Sequence, residues 1–591
     1  MRGRRGFVVV CGALALGCSD LPLARQEPER VLTLLHTSDI HSRVWPFRSR
    51  ISNFEAELGL GRAADLEELG GMARLATLLD AERRRGAALW LDSGDALEGA
   101  EVFHRYGGRV ELQLLSSLGL DAMALGNHEL SLSAPDLAEL VLASATFPVL
   151  AADLEPRAGS PLAGVLAPSA ILSAAGLRVG VVGVANRESP PDLASPGNRW
   201  QLEAPAAWAA AVQSVIDELS PQVGLIVVLS HLGLDGDRAL VAGTTGIDLV
   251  LGGHQHIITA AAEYEDDCSS PALQAERGCS PRRVPIVHSG AYSKWLSRLE
   301  LELAPDLTQL GQLEVSGLTL THLPVGNRVA ADARVAEVLE ALGPPPEAPL
   351  AFLPAGLPRA AALGGDSPLG DLTADAMRRA NAADVALLNS SGLRDDLPAG
   401  VLGRAELELA FPFDEPWRLG WLSGRTLRRG LARAARRSAA QHCVSTLQIS
   451  GLRLKIRCAA CAAGRPDCLE LERALPFGGE EAFDDELLLV ALPAYLTLAR
   501  ADFEEVAAVT SEVSGSVPEA LGQYFEALPR VSASDGSSAA CVTSLSHGPA
   551  SSCSAAPARS ACPPSLESAR ATCRELPQVD GGRDERIQIR P

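Results

Sequence analysis

Residues 126–131 read Gly126-Asn127-His128-Glu129-Leu130-Ser131, directly after the apolar run 121–125, which predicts a short buried strand. A turn calls for the Gly and the Asn. It does not call for a His and a Glu behind them. The same form recurs through the first half of the chain. An apolar run at 31–35 leads into His36-Thr37-Ser38-Asp39-Ile40-His41, and one at 87–91 leads into Asp92-Ser93-Gly94-Asp95. Runs at 225–229 and 247–251 lead into Ser230-His231 and into Gly252-Gly253-His254-Gln255-His256. Open α/β sheets place their ligands at the C-terminal ends of strands. Here those ends carry carboxylate, imidazole and amide groups, a mix of O and N donors that suits Mn, Fe, Co or Zn. Each piece alone is a common turn sequence. Together, in order and each behind an apolar run, they point to a metal centre.

The rest of the chain frames that centre. Its 591 residues exceed a single domain, and 47% hydrophobic content allows sizeable cores. Acidic residues number 73 and basic residues 52, a net charge of −21. That balance excludes nucleic acid as a partner, because phosphate backbones are held by basic surfaces. Arg2, Arg4 and Arg5 precede an apolar stretch at 7–16 and then Gly17-Cys18. Residues 1–18 therefore read as a signal peptide with Cys18 as the lipidated residue, and Arg4-Arg5 also fits a twin-arginine signal. The stretch is shorter than the ~20 residues a spanning helix needs. The expected location is the periplasm or the outer membrane, by the Sec or the twin-arginine route, held to the membrane through the lipid alone. Ten of the 12 cysteines fall after Cys18, which in an exported chain favours disulfides. They group as Cys268 and Cys279; Cys443, Cys458, Cys461 and Cys468; and Cys541, Cys553, Cys562 and Cys573. Their pairing within the larger groups is open.

Strand runs alternate with helical patterns at 72–85 and 206–219, so residues 31–323 are expected to form a layered α/β domain. Residues 324–346 hold a predicted linker helix, 330–342, stopped by Gly343 and three prolines. Residues 347–591 are expected to form a second α/β domain, with a Cys-, Ser- and Pro-rich insertion at about 532–579.

Asp-x-His, Gly-Asp, Gly-Asn-His-Glu, His and Gly-His-x-His resemble the motifs of calcineurin-like metallophosphoesterases. More narrowly, "LLHTSDIHS", "LDSGDALEGA", "SHLG" and "GGHQH" resemble the bacterial periplasmic 5′-nucleotidase and UDP-sugar hydrolase family, and "PIVHSGAYSKWLSRLELEL" matches its last strand pair. The resemblance implies a four-layer α/β/β/α metallophosphoesterase domain followed by an α/β substrate-binding domain. It implies two divalent metal ions, one held by Asp39, His41, Asp95 and His256, the other by Asp95, Asn127, His231 and His254. Hydroxide activated by the metals would attack phosphorus, with no covalent enzyme intermediate. Asn127 and Asp95 would act in catalysis as ligands. His128 would stabilise charge on the phosphoryl group. In the family an Asp three residues after this His pairs with it, and here Ser131 stands there. Asp136 or Glu129 takes that task, or His128 works without it.

In "NSSGLR", Asn389 and Arg394 match substrate-contacting residues, and Phe413 matches an aromatic that stacks on the base. Tyr495 and Asp502 are the candidates for the rest of the clamp, although the glycines that surround them in the family are missing. In the family the two domains rotate against each other, which would make the helix at 330–342 a hinge. The expected activity is hydrolysis of a nucleotide phosphate ester. Alternatives on the same centre are a 2′,3′-cyclic nucleotide phosphodiesterase, a nucleotide-sugar hydrolase, a non-nucleotide phosphoesterase or a thiosulfate-conjugate hydrolase. A catalytically weak surface binding lipoprotein is the non-enzyme alternative.

Overall fold

A computed structural model describes residues 30–63, 65–86, 89–186, 193, 197–204, 207–305, 312–344, 349–353, 355–359, 365–412, 417–440, 443–465, 468–473, 484–497, 502–513, 517–527 and 587–590. The expected signal peptide, Phe413 and the stretch 532–579 lie outside the described residues.

The first domain is built on two facing sheets. In one, β1 (Arg30–Thr37), β2 (Leu89–Asp92), β3 (Ala122–Ala124), β4 (Val149–Leu150) and β5 (Leu166–Ala167) lie side by side and parallel. In the other, β6 (Ser169–Ala174) pairs antiparallel with β7 (Leu177–Val184), and β8 (Leu225–Ser230) and β9 (Leu249–Gly252) follow in parallel. β10 (Glu263–Asp266) covers the far edge, antiparallel to β11 (Arg283–His288). β12 (Trp295–Pro305) and β13 (Leu313–Pro324) then return to the first sheet beside β1.

The apolar runs become strands because both of their faces are buried. Leu34, Leu91, Ala124, Val181, Val227 and Leu251 fill the space between the sheets. On the outer face of the first sheet lie α1 (Met72–Arg84), α2 (Arg109–Ser117) and α3 (Ala134–Ser144). On the outer face of the second lie α4 (Trp208–Leu219) and α5 (Leu234–Ala242). The layering is the expected α/β/β/α.

The linker helix is α6 (Ala333–Leu342), whose N-terminus is capped by the Asp332 carboxylate accepting from the Arg334 and Val335 N–H groups. It is bonded to the first domain at both ends. The Asp332 N–H donates to the Ala73 carbonyl at 2.8 Å, and the Arg105 guanidinium donates to the carbonyls of Leu342 and Gly343, each at 2.8 Å. The segment expected to be the hinge is thus tied to one domain along its length.

In the second domain, α7 (Pro368–Ala380) precedes β14 (Val385–Asn389), followed by β15 (Trp417–Ser423), α8 (Gly424–Ala440), β16 (Leu447–Ser450), β17 (Leu487–Pro493), β18 (Ser511–Val513) and α9 (Val517–Ala527). The five strands form one mixed sheet in the order β16-β14-β17-β15-β18. Disulfides join Cys268 to Cys279 and Cys443 to Cys458. Cys461 and Cys468 are buried thiols. The domains meet beside the strand ends. Arg43 donates to the Glu408 carbonyl at 2.6 Å, Ser49 to the Asp395 carboxylate at 3.0 Å, and Arg404 pairs with Glu101 at 3.3 Å. Phe47, Ala291, Tyr292 and Leu409 form a buried apolar contact across the same junction.

Candidate metal centre

Parallel register brings the motifs together. Thr37 lies opposite Asp92, Asp92 opposite Met123, and Ser230 opposite Gly252. The loops that follow these strands therefore leave the two sheets at one end and converge. Asp39, His41, Asp95, His254 and His256 all have positive φ, between 50° and 76°. Non-glycine residues hold that conformation only where the surroundings impose it, commonly at functional sites.

Three overlapping groups of ligating atoms result: Asp39, His41 and His256; His41, Asp95 and His128; and Asp95, His231 and His254. Within each group the atoms lie within 4.8 Å of one another. Asp95 sits between the halves, with its Oδ2 2.9 Å from His231 Nε2 and 3.8 Å from His41 Nε2. His41 Nε2 and His256 Nε2 are 2.9 Å apart, and His254 Nδ1 is 2.9 Å from Asn127 Oδ1. Every predicted ligand is part of this cluster.

The donor set fits divalent cations. His41 Nδ1 is taken by the Glu98 carbonyl at 3.0 Å, and His231 Nδ1 by the Ser93 carbonyl at 2.6 Å. Each ring thus turns Nε2 inward in the tautomer that can ligate. Burial pushes His41 and His256 well below the ordinary histidine pKa, and burial with His231 nearby takes His254 down to about 3. These imidazoles are neutral at pH 7, the form that can hold a metal. Burial alone would raise Asp95, but His231 and His128 outweigh it and hold the carboxyl well below its usual range. Burial would likewise lower His231, yet Asp95 carries it up to about 10. The charge that favours a proton on His231 also favours a metal cation beside it.

A second layer fixes this geometry. The Glu129 carboxylate accepts the N–H groups of Asp95, Leu97 and Gly126 at 3.1, 3.1 and 2.8 Å. His36 lies between Ser289 and Ser93, at 2.6 and 2.8 Å, and is not a ligand. A side chain on Gly126 would meet Asp95 Oδ1 at 2.2 Å, and one on Gly253 would meet Ser38 Oγ at 2.6 Å, so these positions leave room for the carboxylates. Ser230, Asp237 and His288 also meet, but the aspartate contacts both the serine and the histidine. The histidine therefore does not activate the serine, and the trio is a buried brace.

His128 donates its N–H to Asp95 Oδ1 at 2.8 Å, and its Nδ1 lies 2.7 Å from Glu98 Oε2. Neither Glu129 nor Asp136 reaches the ring: Glu129 is committed to the backbone, and Asp136 to Ser133. Sequence reasoning missed Glu98, although an acid before Gly99 and three residues past Asp95 was there to be read. It also missed Tyr292, whose buried ring packs on His41 and His256 at 5.7 and 5.1 Å. The stretch holding Tyr292 reads as part of a strand pair, but it lies in the loop before β12.

Of the second-domain candidates, Arg394 lies near enough to the centre for its charge to disfavour a proton on His41, His128, His254 and His256. Asn389 ends β14 and lines a small pocket with Phe411, Trp417 and Pro493. Its Oδ1 is buried without a hydrogen bond, as is Trp417 Nε1. Tyr495 is 41% exposed, on a single 3₁₀ turn after β17. Asp502 is buried against α8, 3.2 Å from the Arg437 guanidinium. Neither Tyr495 nor Asp502 lines the Asn389 pocket.

Two facing sheets whose parallel strand ends converge on His, Asp and Asn have the architecture of the metallophosphoesterase fold. A family model described as calcineurin-like phosphoesterase matches residues 32–257, and one described as 5′-nucleotidase, C-terminal domain, matches residues 348–472. The chain belongs to the calcineurin-like metallophosphoesterases that carry a 5′-nucleotidase C-terminal domain. It is 32% identical over 301 residues to the 5′-nucleotidase of Bos taurus, covering 49% of each chain. It is 33% identical over 294 residues to that of Diplobatis ommata, covering 49% of this chain and 48% of the relative. The chain thus spans about half the length of the curated relatives it matches. Among solved structures, the 5′-nucleotidase precursor of Thermus thermophilus superposes with a TM-score of 0.70 at 22% identity, over 95% of this chain and 99% of the other. A sulfate thiohydrolase of the same organism gives 0.64 at 19% identity, over 83% and 93%. Both likenesses are of fold.

Proposed function

We propose that the chain is an exported hydrolase of nucleotide phosphate esters that works with two divalent metal ions. The observation that carries this reading is the Asp95-centred cluster with Arg394 from the other domain acting on its histidines. Asp39, His41, Asp95 and His256 hold one cation, and Asp95, Asn127, His231 and His254 hold the other. When bound, such a pair polarises a phosphoryl oxygen and acidifies a water. His128 stabilises the charge that builds on the phosphoryl group. Arg394 orients the anion through its forked donors. Asn389 receives the organic part of the substrate, and its unpartnered Oδ1 supports that role. Phe413 stacks on the base. The curated relatives, named as 5′-nucleotidases, support nucleotide as the substrate. Disulfides suit an oxidising compartment, in line with a signal at 1–18 and a lipid on Cys18. Among the described residues no helix is long and apolar enough to cross a membrane.

One observation favours a second reading. Neither Tyr495 nor Asp502 lines the Asn389 pocket, and Asp502 is engaged with Arg437, so nothing sets them as a base clamp beside Asn389. The same centre would then serve a 2′,3′-cyclic nucleotide, a nucleotide sugar or a non-nucleotide ester. The test is phosphate release by the chain lacking residues 1–18, from AMP, ATP, UDP-glucose, 2′,3′-cyclic AMP and an aryl phosphate, each with Mn, Co or Zn. Release from AMP or ATP is expected, and it should vanish in Asp95→Ala. Release from the aryl phosphate or cyclic ester alone would replace the first reading by the second.

A further inference from the structure

We infer that Glu98 is the positioning residue for His128, in place of the acid missing at position 131. The inference rests on the phosphoesterase reading and names how its charge-stabilising histidine is held. Glu98 Oε2 lies 2.7 Å from His128 Nδ1, which leaves Nε2 on the side of the cluster, 3.9 Å from Asp95 Oδ2. A carboxylate on one ring nitrogen fixes the tautomer and the aim of the other.

The alternatives are closed by their own contacts. Ser131 Oγ is buried and makes no hydrogen bond. Glu129 is held by three backbone N–H groups. Asp136 accepts from Ser133 at the start of α3.

The backbone at Glu98 points the same way. Its φ is +58°, a left-handed conformation that a non-glycine residue holds only where the surroundings impose it. Two bonds accompany that conformation. The Glu98 carbonyl accepts from His41 Nδ1 at 3.0 Å, and its carboxylate accepts from His128. The next residue, Gly99, has φ +121°, and a side chain there would come within 3.0 Å of His41 Cβ. One residue thus orients two imidazoles, a metal ligand by its main chain and His128 by its side chain.

The two tasks separate by mutation. Glu98→Gln keeps the main-chain bond to His41 and removes only the charge facing His128. The expected result is a kcat for phosphate release about 10- to 100-fold lower, with KM within about threefold and metal content unchanged. The double variant Glu98→Gln/Ser131→Asp offers His128 Nδ1 a carboxylate from position 131 instead, and most of the lost kcat should come back. A proton NMR spectrum gives a readout independent of turnover. A downfield Nδ1–H resonance, assigned by its loss in His128→Ala, should disappear in Glu98→Gln and reappear in the double variant. An unchanged kcat in Glu98→Gln, a fall explained by lost metal, a double variant no better than the single, or no such resonance in the unaltered chain would each overturn the inference. Failure of the phosphoesterase reading looks different: the unaltered chain releases no more phosphate than Asp95→Ala, while the resonance still reports on Glu98.

Discussion

Glu111 is an acid that burial makes consequential. It lies in α2, 2% exposed, with Ser42 Oγ donating to it at 2.6 Å. Burial pushes its carboxyl up to about 7. The folded chain therefore keeps a proton that the unfolded chain releases above about pH 4.5. Stability from this group is complete below that value and is lost as pH rises through about 7, by up to ~3 kcal/mol. Glu111→Gln should flatten the fall in the denaturant midpoint between pH 5 and pH 8, and an unchanged slope would remove Glu111 as the cause. At this scale the residues that converge in the cluster were legible, because each follows an apolar run that announces a strand end. Glu98 and Tyr292 were not. Glu98 acts on a histidine 30 residues away, and Tyr292 on rings supplied by two other loops. No local pattern marks such a contact.

At the scale of elements, the strands that carry the site were predicted within a few residues, since doubly buried strands are continuous apolar runs. The helices α2, α3 and α5 went unpredicted, and so did the pairing of β12 with β1 in the first sheet. That pairing joins residues such as Leu34 and Leu299, far apart in the chain, by main-chain bonds that any sequence can make. A close approach of the two sheets depends on one small residue. A Cβ on Gly183 in β7 would lie 2.3 Å from Leu150 Cβ and 2.4 Å from the Leu150 carbonyl oxygen in β4. Gly183 also accepts the Ala152 N–H at 2.7 Å, so the strands cannot separate freely. Gly183→Ala is expected to cost about 1–3 kcal/mol of stability, read as a lower denaturant midpoint with an unchanged m-value. A midpoint equal to that of the unaltered chain would show that the sheets relax at this point.

For the whole molecule, the division into two α/β units was legible from Gly343 and the prolines after it, which no helix continues through. The position of Arg394 was not, because it depends on how the second domain sits on the first. That contact runs through Arg43, Ser49 and the Phe47–Tyr292–Leu409 cluster, none of which carries a motif. With α6 bonded to the first domain, a rotation that opens the site would have to pivot beyond Gly343. In the proposed reading, an acidic chain meets a phosphate ester with cations held at the Asp95-centred cluster and with one arginine from across the junction. The most direct test counts those cations. Elemental analysis and AMP hydrolysis would be measured on the same samples of the unaltered chain and of Asp95→Ala, each loaded with Mn, Co or Zn and freed of excess metal. The account predicts two ions per chain with phosphate release in the first sample, and loss of both bound metal and release in the second. A single ion in the active chain, or release that survives in Asp95→Ala, would contradict it.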